Sequence, residues 1–97
     1  MTTDLLSNAR QDINQIDQEM AKLFEKRMVA VKDVITYKMA HDLPIFDETR
    51  EAKVIEQNLA KLQNKAYEKY YRDFIQAMMD ISKSYQQDLK ILANKED

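Results

Sequence analysis

The stretch DLLSNARQDINQIDQEMAKLFEKRMVAVKDVITYKMAH, residues 4–41, decides the fold. Alternate steps of three and four from Leu6 pick out Leu6, Ala9, Ile13, Ile16, Met20, Leu23, Arg27, Ala30, Val34 and Tyr37. Nine of these ten positions are apolar or aromatic, which makes a seam. A heptad seam held this long predicts one extended helix. Thr3 or Asp4 is expected to cap its start. The helix breaks at Asp42-Leu43-Pro44, because the residue before a proline is pushed out of the helical region. At 1.5 Å per residue it spans about 57 Å, roughly twice the width of a small domain. Two shorter helices of the same chain cannot cover that length. The seam needs another long helix, and a second copy is the nearest supply, so the pattern predicts a homodimer. The alternative is a monomeric three-helix chain with a protruding arm.

Working outward, Asp47 can cap a second helix, with Glu48 and Glu51 in its first turn complementing the dipole. Val54, Ile55, Leu59 and Leu62 keep helical spacing, and Asn64 is expected as the C-terminal cap because asparagine tolerates the left-handed conformation. A third helix is expected over residues 67–93, with an apolar stripe running from Tyr67 through Phe74, Ile75, Met78 and Met79 to Leu92. The tail, residues 94–97, is expected to fray. There is no internal repeat, low-complexity segment or linker, so residues 1–97 are read as one all-α domain of three helices.

Composition removes whole classes of function. The 97 residues include no glycine, no cysteine, one proline and one histidine. A phosphate-cradling glycine loop and a dinucleotide-binding turn are therefore excluded. So are a disulfide framework, a thiolate nucleophile and a cysteine zinc site. The net charge of −2 supplies no basic footprint for nucleic acid. Apolar runs such as Met28-Val29-Ala30-Val31 are too short to span a membrane. The start, Met1-Thr2-Thr3-Asp4, lacks the charged and apolar regions of a signal peptide, so a cytoplasmic location is expected.

The informative residues are polar groups on apolar stripes. Arg27 occupies a core-type position of the seam, and Lys38 lies eleven residues on, along the same face and about 16 Å away. Two cations on a core-facing line need counter-charge. Either carboxylates of the second helix supply it, or an anionic ligand does. In the third helix Ser82 and Gln86 interrupt the line Ile75, Met79, Leu89. Each has an ordinary reading, contact with water or a backbone carbonyl. Together with Arg27 and Lys38 they can also line a polar cavity in a bundle core. Asp47, Arg50 and Glu51 share one face of the second helix's first turn, as a cap with a surface ion pair or as a hydroxyl-binding cluster. His41 lies at a helix end and is read as a solvated residue rather than a metal ligand.

Taken in order, Arg10, Arg27, Lys38, Asp47, Arg50, Glu51, Ser82 and Gln86 resemble the active-site set of the all-α chorismate mutases. Local strings carry the resemblance: Leu5-Leu6 leading to Arg10, Ile16-Asp17, Glu25-Lys26-Arg27, Lys38 followed by Pro44, Asp47-Glu48-Thr49-Arg50-Glu51, and Ser82 with Gln86-Gln87. It covers about residues 5–90. The resemblance implies an intertwined homodimer with antiparallel long helices, chorismate as substrate, and neither cofactor nor metal. It also accounts for Arg10, which lies 28 residues from Lys38 and so about 42 Å away along one helix. An antiparallel partner would bring its own Arg10 toward Arg27 and Lys38.

The roles implied by the resemblance suit a pericyclic rearrangement, which needs no nucleophile. Arg27, and Arg10 from the other subunit, would bind the substrate carboxylates. Lys38 and Gln86 would stabilise charge developing on the ether oxygen. Glu51, with the helix start at Asp47, would accept from the ring hydroxyl. Ser82 would contact the ring carboxylate, and Arg50 would order Glu51 or the loop. Two other readings stay open on sequence: an isochorismate-pyruvate lyase of the same fold, and a non-catalytic helical dimerisation module.

Overall fold

The structure is a computed structural model and describes residues 4–95. The alternative cap Thr3 and the last two residues of the tail, Glu96 and Asp97, lie outside the described residues. Three α-helices follow one another: α1 (Leu5–Ala40), α2 (Glu48–Leu59) and α3 (Glu68–Lys95), with a 3₁₀ turn, Lys65–Tyr67, leading into α3. There is no strand among the described residues, and the fold is all-α as expected. No helix among them is long and apolar enough to cross a membrane.

The chain divides into two compact units, one ending at Ala30 and the other beginning at Val31. The first contains the N-terminal part of α1. Asp4 caps it by accepting the Ser7 N–H at 2.6 Å, and that bond holds the Asp4 carboxyl below its ordinary value. Every described residue up to Lys26 is exposed. This includes the apolar seam: Leu6, Ile13, Ile16, Met20 and Leu23 retain between 43% and 63% of their accessible surface.

The second unit contains the end of α1, with α2 packed against α3. Its core is Val31, Ile35, Leu59, Ile75 and Met79, and Ile35 is the most enclosed at 1% exposure. Val31 and Ile35 each stand one residue past the seam positions Ala30 and Val34. One residue is about 100° of helix rotation. The face of α1 buried within the chain is therefore not the seam. Ala30, Val34 and Tyr37, the last three seam positions, are exposed.

The helix ends use local chemistry. Asp42 has φ 54°, the left-handed position usually taken by glycine, and the Leu43 N–H closes back onto the Lys38 carbonyl at 2.9 Å. This is the closing bond of a Schellman turn. In a glycine-free chain the short polar side chain of aspartate takes the position at modest cost. Asp47 caps α2 as expected. Asn64 corrects the sequence reading. α2 ends at Leu59, and its cap residue Ala60 is right-handed helical, with φ −63°. Asn64 is extended and caps the 3₁₀ turn instead, its side chain accepting the Ala66 N–H at 3.0 Å. Its oxygen reaches a donor two residues on, a local bond asparagine makes readily. α3 also runs on through Asn94 and Lys95, which were expected to fray.

Candidate active site

Lys38 sits in the last turn of α1 and is half-buried. Its ammonium donates to the Ile45 carbonyl at 2.9 Å. The turn at Asp42 folds the chain back and presents that carbonyl to it. The partner is thus a backbone oxygen in the loop, where a carboxylate of the second helix was one expectation. An ammonium carries three N–H donors, and Ile45 uses one. Lys38 also lines a cleft of about 420 Å³ with Leu43, Pro44, Phe46, Asp47 and Glu48.

Asp47 is extended, with φ −134° and ψ 97°, and its carboxylate accepts the Arg50 N–H at 3.0 Å. Asp47 is therefore occupied in starting α2, while the Arg50 side chain is exposed. One turn in, Glu51 is half-buried and faces α3. There it meets Lys83, a residue the sequence reading did not single out. The ammonium lies 3.0 Å from Oε2 of Glu51 and 3.3 Å from Oε1, and 3.4 Å from Asp80. The Glu51 bond holds the Lys83 ammonium above the ordinary lysine value.

Ser82 and Gln86 lie on the buried line of α3, at 9% and 6% exposure, after Ile75 and Met79. Their interruption of the apolar stripe was legible, and their burial confirms the face. Ser82 donates to the Met78 carbonyl at 2.8 Å, the ordinary bond of a mid-helix serine. The Gln86 amide donates to the Val31 carbonyl of α1 at 3.2 Å, across 55 residues of sequence. That bond joins α3 to α1 and sets which way the amide faces. The amide carries two N–H groups, and Val31 accepts from one.

Lys38, Asp47, Arg50, Glu51, Ser82 and Gln86 all belong to the second unit, on the loop and three helix segments. The cleft beside Lys38 is not lined by Glu51, Ser82 or Gln86, so these residues do not enclose a common cavity there. Arg10 and Arg27 belong to the first unit, on α1, about 26 Å apart along the helix. Arg10 is exposed and Arg27 is half-buried. His41, at the end of α1, stacks on Tyr37 with ring centroids 3.9 Å apart, and its Nδ1 lies 2.8 Å from the Tyr37 carbonyl.

Residues 9–87 match the family of type II chorismate mutases. The chain belongs to that family. The match runs from the seam of α1 through Gln86 and takes in all eight residues singled out on sequence. Chorismate mutases are isomerases, so this type II chorismate mutase domain is an enzyme rather than a passive helical module. No solved structure matches the chain.

Proposed function

We propose that this chorismate mutase domain acts as a homodimer with composite sites, converting chorismate to prephenate in aromatic amino-acid biosynthesis. The single observation that carries this reading is the pair of polar residues on the buried line of α3. Ser82 and Gln86 stand where Ile75 and Met79 predict further apolar residues, and Gln86 is fixed by α1. Uncharged donors held on rigid helices suit a reaction that needs positioning and charge stabilisation.

The rearrangement breaks an ether bond and forms a carbon–carbon bond within one dianionic molecule. Negative charge grows on the ether oxygen as its bond to carbon lengthens. Lys38 supplies a cation to that oxygen and Gln86 donates its second N–H. Both groups are already oriented by backbone carbonyls, so little reorganisation is needed at the transition state. Arg27 and the partner subunit's Arg10 hold the two carboxylates and select the compact conformer. Glu51 accepts from the ring hydroxyl near the Asp47 cap, and Arg50 orders that end of α2. Ser82 binds the ring carboxylate by turning its hydroxyl from Met78 toward it.

The dimer is supported by the open seam of α1, whose apolar positions are exposed among the described residues. A second copy offers the same seam in antiparallel register, and so buries both. Chorismate consumption with product identification tests the activity: prephenate is the expected product. Absence of prephenate from folded protein would remove this reading, and pyruvate released from isochorismate would favour the lyase.

A further inference from the structure

We infer that Lys83 is a positioning residue for Glu51. It holds the Glu51 carboxylate in place and offsets its charge beside a dianionic substrate. The inference rests on the proposed role of Glu51 as acceptor for the ring hydroxyl.

Three observations converge on Lys83. Its ammonium meets both oxygens of Glu51, at 3.0 and 3.3 Å, so the carboxylate plane is fixed from one side. It also lies 3.4 Å from Asp80, one turn back on α3, which gives the ammonium a second carboxylate partner. Finally, it stands 4.7 Å over the ring of Phe46, the residue before the Asp47 cap. Lys83 thus joins the loop, the first turn of α2 and α3. The pair is partly enclosed, with 28% of the lysine side chain and 18% of the glutamate side chain exposed. Lys83 immediately follows Ser82 and lies one turn before Gln86, so it sits at the edge of the same polar line.

The chemistry requires such a group. An unaccompanied Glu51 carboxylate would repel a substrate that carries two negative charges. It would also be free to rotate away from the hydroxyl. The hydroxyl contact exists in both ground and transition states, so its loss should raise KM and leave kcat nearly unchanged.

The test is steady-state kinetics on the full chain for wild type, K83M, K83R, E51Q and the K83M/E51Q double variant, with circular dichroism of each. K83M is expected to raise KM about 10-fold with kcat within about 2-fold, and K83R to restore most of the loss. E51Q removes the charge that Lys83 serves, so adding K83M to E51Q should change KM by less than about 2-fold. If K83M loses helix content, K83Q replaces it in the same cycle. A raised KM in E51Q beside an unchanged KM in K83M overturns the inference alone. Effects of K83M and E51Q that multiply in the double variant also overturn it, because Lys83 would then act apart from Glu51. An unchanged KM in E51Q removes the role of Glu51 itself, and the inference with it.

Discussion

Lys38 and Gln86 have the same device in common. Each places a donor by giving one N–H to a backbone carbonyl, Ile45 and Val31 respectively. Replacing either by alanine should lower kcat by about 10²-fold or more, the usual cost of losing one preorganised donor to developing negative charge. Wild-type turnover in K38A would remove its assignment. Because an amide does not titrate, the Gln86 contribution should stay level across neutral pH. The Lys83 link has a defined pH window. Its ammonium is held above the ordinary lysine value by Glu51, so its contribution is complete at neutral pH and is lost as pH rises through that raised value. The difference in Tm between wild type and K83M should therefore shrink as the solution is made alkaline. Ser82 and Gln86 were legible because a break in helical period is a local signal. Lys83 was not, because its partner Glu51 is 32 residues away and only the packing of α2 on α3 brings them together.

The helices themselves were legible in the periodicity, and their ends only partly so. Asp47 and Asp4 cap as read, since both act on donors three residues ahead. Asn64 was placed at the wrong kind of terminus: its side chain can serve either a left-handed C-cap or an N-cap, and the sequence does not distinguish them. The left-handed residue at the end of α1 is Asp42, hidden by the lack of any glycine to mark it. D42G should keep the turn and hold or raise Tm, while D42V should cost about 1–2 kcal/mol, the penalty of a Cβ-branched residue in that region. Removing the α2 cap with D47A should cost about 1 kcal/mol in urea unfolding. It should also weaken substrate binding, because the same turn carries Glu51.

On the scale of the whole molecule, the two stretches of α1 differ in burial. Val31 and Ile35 pack within the chain, while the seam from Leu6 to Leu23 is exposed. The seam was legible from the first residues. Which face the chain would bury for itself was not, because a shift of one residue turns the helix by about 100°. Sedimentation should give a mass of twice the 11.5 kDa chain, and a charge in the seam, as in I16E, should shift it toward monomer and abolish turnover. Mixing R10A with R27A tests the composite site most directly. Each variant alone should be nearly inactive. Subunit exchange gives about half mixed dimers, each with one intact site, so prephenate formation should return to roughly a quarter of the wild-type rate. A mixed rate equal to the mean of the two parents, after exchange is verified, would contradict it.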